Sequence, residues 1–165
     1  MTSPTLAVAN YFVGKSLDSG ESLTPMKLIK LAYIAHGWHL AIKDEPLIDE
    51  AVEAWKFGPV VPSVYSRFRS YRDSQITKMA EMYSSGNVFV PMVQDTETMG
   101  FLDKVWSAYS KYDGWQLSAI THKDGTPWHK IWREEGGANK YAACIPNEII
   151  QTHYKMLLDS RRNTN

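Results

Sequence analysis

The chain has 165 residues, 44% of them apolar, with 18 Lys+Arg balanced by 18 Asp+Glu. That is one ordinary globular domain with enough chain to bury a core, and it excludes a mostly disordered protein. Zero net charge argues against a dedicated nucleic-acid binder and against attachment to a membrane through a cationic face, while the lone Cys144 rules out an internal disulfide or a cysteine metal cage and fits a reducing cytoplasm.

The N-terminal residues carry no positive charge before an apolar run that stops at Asn10, so they do not form a signal peptide. No stretch approaches the roughly 20 apolar residues of a membrane span. Nor is there a repeat, a low-complexity tract or an internal linker. The reading is one domain over residues 1–160 and a polar, frayed tail at 161–165.

A first helix is expected after Ser3, with Pro4 at its first position and Leu6, Ala9, Phe12, Val13 and Leu17 inward; Gly20 ends it. The second has the clearest start. Thr24 caps free backbone N–H groups, Pro25 follows, and Leu28, Leu31, Ala32, Ala35, Trp38 and Ile42 make a stripe until Pro46 forbids continuation. Residues 47–57 read as extended, with Ala51, Glu53, Trp55 and Phe57 on one side and Val52, Ala54 and Lys56 on the other, up to a turn at Gly58-Pro59. Pro62 opens a third helix carrying Val64, Tyr65, Phe68 and Tyr71. Residues 74–84 form a further helix in this reading, broken at Gly86 and Asn87. Residues 88–93 are extended and confined to an edge by Pro91. A helix over 96–112 follows, with Met99, Leu102, Val105, Trp106 and Tyr109 inward and Gly114 after it. Short helices are expected at 116–121 and 127–133, the second capped by Thr126. Gly136-Gly137 is a flexible turn, and Pro146 introduces the last helix, with Ile150, Tyr154, Leu157 and Leu158 on one face. The expected fold class is mainly α: a compact multi-helix domain with a short β-hairpin or extended segments.

No catalytic group stands out. His36 and His39 share a helix face, but a zinc site needs three or four converging ligands, and no carboxylate lies near them on that helix. Cys144 sits in an Ala-Ala-Cys-Ile-Pro context that suppresses the thiolate. Nucleophile elbow, phosphate loop and dinucleotide fingerprint are all missing, and Glu134-Glu135 reads as a solvated end. The local electrostatic feature is residues 56–78, where Lys56, Arg67, Arg69, Arg72 and Lys78 face the single acid Asp73. Within it Arg67-Phe68-Arg69-Ser70-Tyr71-Arg72 interleaves arginine with aromatics, the residue types of interface hot spots, and Arg69 and Arg72 share a helix face. The bland reading of that run is Phe68 and Tyr71 in the core with arginines in water. Six Trp, nine Tyr and five Phe are mostly core; any that prove exposed would mark a partner surface.

Three blocks together resemble one family. They are Leu23-Thr24-Pro25-Met26-Lys27-Leu28-Ile29-Lys30-Leu31-Ala32-Tyr33, then Glu53-Ala54-Trp55-Lys56-Phe57-Gly58-Pro59-Val60-Val61-Pro62-Ser63-Val64-Tyr65, then Leu117-Ser118-Ala119-Ile120-Thr121-His122 with Pro127-Trp128. Their order resembles the Panacea domain, the SocA-like antitoxin family of bacteria and their phages, over nearly the whole chain from Leu6 to Leu158. The resemblance implies a cytoplasmic antitoxin encoded beside a toxin gene, neutralising that toxin by protein–protein contact, with no catalysis, cofactor, metal or membrane. The toxin's identity and the oligomeric state are not implied. Some relatives carry an added DNA-binding segment; the resemblance implies none here. Joined to the residue reading, it makes Trp55, Lys56, Phe57, Tyr65, Arg67, Arg69 and Arg72 the candidate toxin-facing set. Gly58, Pro59, Thr121, His122 and Trp128 become motif residues with architectural roles, His122 bonding backbone and fixing Trp128. The alternatives are a metal-dependent hydrolase built on His36, His39, His122 and an acid, and a phage-encoded host-interaction protein of the same fold.

Overall fold

The structure, a computed structural model, describes residues 4–164. The run from Leu28 to Ala35 is buried at every position, Lys30 included, and it becomes the middle of the molecule. The chain runs α1 (Pro4–Ser19), α2 (Pro25–Lys43), β1 (Val52–Trp55), β2 (Gly58–Val60), α3 (Pro62–Phe68), β3 (Met82–Ser84), β4 (Asn87–Phe89), α4 (Thr96–Tyr109), α5 (Gly114–His122), α6 (Pro127–His129), β5 (Cys144–Ile145) and α7 (Asn147–Asn163). Helices α1, α3, α4, α5 and α7 all pack on α2. The fold is mainly α, as expected, with two small antiparallel sheets. Among the described residues no helix is long and apolar enough to cross a membrane.

The start of α2 is as the sequence dictates. Thr24 is extended, its Oγ1 accepts the Lys27 N–H at 3.4 Å, and Pro25 opens the first turn. Asp44 ends the helix in the left-handed region at φ 57°. The expected one-sided stripe is corrected: α2 is buried around nearly its whole girth, Lys27, Lys30 and His36 included, while Ile42, placed inward by periodicity, is 47% exposed. Leu17, in the last turn of α1, is likewise exposed. The buried side chains of Lys27, Lys30 and His36 are each paired. Lys27 Nζ donates to the Ser110 carbonyl at 2.5 Å, tying α2 to the end of α4.

β1 pairs with β2 and β5, in register Glu53↔Val60, Trp55↔Gly58 and Val52↔Ile145. Val52 and Ala54 face the core; Glu53 and Trp55 lie half-buried on the other side, as the alternation requires. Gly58-Pro59 is not the turn. The chain reverses at Lys56-Phe57, and Gly58 and Pro59 are buried residues of β2.

The helix expected at 74–84 does not form. Asn10, fully buried on α1, accepts the Ala80 N–H at 2.8 Å and donates to the carbonyls of Ala80 and Pro91 at 3.0 and 2.9 Å. Ile76 N–H donates to the Leu23 carbonyl at 2.9 Å. Backbone groups that a helix would pair internally are thus used across the chain. The chain then forms the hairpin β3–β4, turning through Ser85 and Gly86, both at positive φ (50° and 78°), as a two-residue hairpin turn demands. Strand β4 stops before Pro91.

Helix α4 ends three residues earlier than expected, and Gly114, read as a stop, is the first residue of α5. Asp113 and Gln116 form a reciprocal capping box there. A Cβ at Gly114 would stand 3.0 Å from the Lys27 backbone nitrogen, so this helix start nestles against the first turn of α2. Helix α6 is capped by Thr126 and widens into a π-helical turn over Lys130–Glu134. Arg161–Asn163, expected as tail, continue α7. Cys144, expected in apolar surroundings, is exposed on β5. Ser3, named as the residue before the first helix, lies outside the described residues.

Candidate functional site

The first turns of α2, the β1–β2 hairpin and α3 with the 3₁₀ turn after it enclose a cleft of about 510 Å³. Six of the seven nominated residues line it: Trp55, Lys56, Phe57, Tyr65, Arg69 and Arg72. Pro25, Met26, Ile29, Lys30 and Val60 complete the wall, and none of the lining residues is acidic. The seventh, Arg67, points elsewhere, its guanidinium donating to the Glu81 carbonyl. Phe68 is core and the three arginines are exposed, as the bland reading has it, yet two of them still converge on one cleft. They do so without sharing a helix face: Arg72 follows the 3₁₀ turn at φ 57°, its N–H held by the Arg69 carbonyl at 3.0 Å.

The aromatic wall is held from behind. Trp55 stands edge-on to Tyr65 with centroids 4.8 Å apart, and its indole N–H donates to Glu53 Oε2 at 2.7 Å. Its carbonyl accepts the Trp128 indole N–H at 2.6 Å. The hairpin tip is pinned to α5 by Ser118 Oγ donating to the Phe57 carbonyl at 2.5 Å. Phe57 is 48% exposed and meets Trp115 edge-on at 5.6 Å; Trp115 is 64% exposed, so the apolar wall continues onto α5 outside the cleft. His122 bonds back to the Ser118 carbonyl through Nδ1 and stands edge-on to Trp128 at 5.2 Å. Thr121 is buried, with Oγ1 donating to the Leu117 carbonyl at 2.9 Å.

Lys30 was missed by sequence reasoning. It lies at the base of the cleft, 2% exposed, with Nζ donating to the Pro59 carbonyl at 2.8 Å. Burial pushes its pKa down to about 7. The available signal was a lysine inside a helix with apolar residues all round. Met26, Ile29 and Trp115 were missed because a face shared with two other elements is not visible in one helix's periodicity.

Lys30 also predicts a pH dependence. Its folded pKa is below its unfolded one, so between about pH 7 and pH 10 the unfolded chain holds the extra proton and stability rises with pH. Below that window both states are protonated and the slope vanishes. Lys27, also lowered by burial, acts in the same direction. Above it Tyr11, pushed up to about 12 by burial and Asp103, and the buried Tyr33 and Tyr154, also raised, reverse the trend. The unfolding free energy from urea titration should therefore climb from about pH 7.5 to about pH 9, with Lys30 contributing no more than roughly 1.4 kcal/mol per pH unit, and Lys30→Met should flatten the climb. An equally steep climb in that variant would locate the proton elsewhere.

The three histidines of the metal alternative do not converge. His36 Nε2 meets Asn147 Oδ1 at 2.9 Å and its Nδ1 accepts the Leu47 N–H at 3.2 Å. His39 Nδ1 meets the Glu45 carbonyl at 2.6 Å, and His122 sits on α5 as described. A second cleft of about 370 Å³ between α6 and α7 carries His129, Glu134, Glu148 and His153. Among the described residues no group of three or more His, Cys, Asp or Glu is placed to share an ion.

The family model described as Antitoxin SocA-like, Panacea domain, matches residues 28–129. The chain belongs to this family. The matched Panacea region holds every cleft residue except Pro25 and Met26. Antitoxin SocA of Caulobacter vibrioides (strain NA1000 / CB15N) is 30% identical over 152 residues, covering 90% of this Panacea chain and 81% of that protein. No solved structure matches.

Proposed function

We propose that this Panacea protein is an antitoxin that neutralises a cognate protein toxin, encoded nearby, by direct contact through the face from Trp55 to Arg72. Membership of the SocA-like family and the printed name of the relative support the antitoxin role. The observation that carries the surface is the cleft: six nominated residues, from the β1–β2 hairpin and from α3 with the turn after it, line one acid-free concavity, with Phe57 exposed in its wall and Trp115 exposed beside it. Inhibition by covering needs a rigid aromatic and arginine patch, not a nucleophile. Here the patch stands on a hairpin pinned by Ser118 and Trp128.

Two measurements test it. Co-expression of this gene should relieve the toxicity of a neighbouring open reading frame. The double variant Arg69→Ala/Arg72→Ala should bind that toxin about thirtyfold more weakly, a loss of roughly 2 kcal/mol. Both side chains are exposed, so the thermal midpoint should not move. Binding unchanged by the double variant would place the neutralising surface elsewhere.

A further inference from the structure

The cations of this cleft differ in kind. Arg69, Arg72 and Lys56 are exposed, but Lys30 is buried at the base. An ammonium has three donors. One goes to the Pro59 carbonyl, and among the described residues Lys30 Nζ makes no other hydrogen bond. The cleft that Lys30 lines has apolar walls of Ile29, Val60, Trp55, Phe57 and Tyr65, with Lys56, Arg69 and Arg72 as its other cations. When protonated, Lys30 is a positive charge with spare donors in a cleft that no acid lines, so it lacks a counter-charge, and a bound carboxylate would hold the proton on it.

We infer, on the toxin-binding reading above, that the bound partner fills this cleft with an acidic segment. One carboxylate reaches Lys30 Nζ, an apolar side chain beside it packs against Trp55, Phe57 and Tyr65, and further acids meet Arg69 and Arg72. Charge count selects the occupant. One buried ammonium matches one carboxylate, whereas a phosphate dianion would bring two charges to a base that holds one cation. The cleft's volume lies within the roughly 300–1,000 Å³ of sites that enclose a small organic group.

The probes are N-acetyl-L-phenylalanine, its neutral amide and phenyl phosphate, titrated into the full chain and followed by the Trp55 indole and Phe57 amide resonances. The acid should shift both and bind at least about tenfold tighter than the amide. Lys30→Met keeps an unbranched side chain of nearly the same reach, removes the charge, and should bring acid and amide within about threefold of each other. The wild-type comparison decides even where that variant fails to fold. Equal binding of acid and amide, no shift at about 20 mM acid, or an acid preference kept by Lys30→Met would each overturn the inference. Phenyl phosphate binding about tenfold tighter than the acid would overturn it in favour of a phosphate ligand. The underlying reading fails separately. If the acid preference holds while Arg69→Ala/Arg72→Ala keeps the toxin, the carboxylate site stands and the neutralising surface lies elsewhere. If the toxin is lost while acid and amide bind alike, the surface stands and the carboxylate chemistry falls.

Discussion

Gly37→Ala should destabilise the fold by about 3 kcal/mol or more, although alanine is the better helix former by about 1 kcal/mol. Gly37 lies on α2 where α7 crosses it. A Cβ built there would stand 2.2 Å from Tyr154 Cε2, 2.4 Å from Cδ2 and 2.7 Å from Cζ. The Tyr154 ring has no room to retreat. It is 5% exposed, edge-on to Trp38 at 5.1 Å and to Tyr33 at 6.1 Å. A methyl group at Gly37 must therefore push α7 off α2, and its cost is set by lost packing rather than by helix propensity. Urea unfolding reads the loss. The companion Gly37→Ala/Tyr154→Leu removes the ring edge and should be clearly more stable than the sum of its single variants, because the two changes share one contact. Strict additivity would mean that the ring is not what occupies the space beside Gly37.

The same helix shows where the sequence is readable and where it is not. Its start is a local matter, Thr24 and Pro25 acting on backbone groups within one turn, and it is found where expected. Its burial is not local. Periodicity assumes that one face meets water, and α2 has no such face because five helices surround it. The failed helix at 74–84 has the same cause in reverse. Nothing within that segment announces that Asn10, some 70 residues away, will take up the Ala80 backbone. Hairpin turns are short-range, yet the sequence reading takes Gly86-Asn87 as the break after a helix rather than as part of a Ser85-Gly86 hairpin turn, since the flanking residues lack clean alternation. At the candidate site, the composition of residues 55–72 was legible as an arginine–aromatic cluster, and Phe57 through Arg72 are close enough in sequence to nominate together. Lys30 and Trp115 come from distant elements, and only the packing of α2 and α5 against the β1–β2 hairpin brings them there. Arg67 shows the converse: adjacency in sequence put it in the set, and a carbonyl of the following loop takes its guanidinium away.

Gly58→Ala should cost about 3 kcal/mol and lower partner binding beyond what that loss explains. Gly58 is buried in β2 at φ +116°, a backbone region closed to residues with a side chain. A Cβ there would also come within 3.0 Å of Lys30 Nζ and 3.5 Å of His122 Cβ. Gly20 is the control. It too has positive φ, at +79°, but no atom lies within 4 Å of its built Cβ. Gly20→Ala therefore reports conformational strain in the ordinary left-handed region, about 1 kcal/mol. The excess in Gly58→Ala reports the rarer backbone and the crowded lysine. The functional consequence follows from what the corner holds. Gly58 lies between Phe57, whose carbonyl is fixed by Ser118, and Pro59, whose carbonyl accepts the hydrogen bond from Lys30 Nζ. A shift there moves the cleft's exposed aromatic and its buried cation together, while Arg69 and Arg72 stay on their own turn. Denaturation of the two alanine variants, with toxin affinity measured under conditions where both are folded, separates these effects. Equal destabilisation of the pair, or full affinity in folded Gly58→Ala, would show that the corner serves neither packing nor recognition in the way its geometry argues.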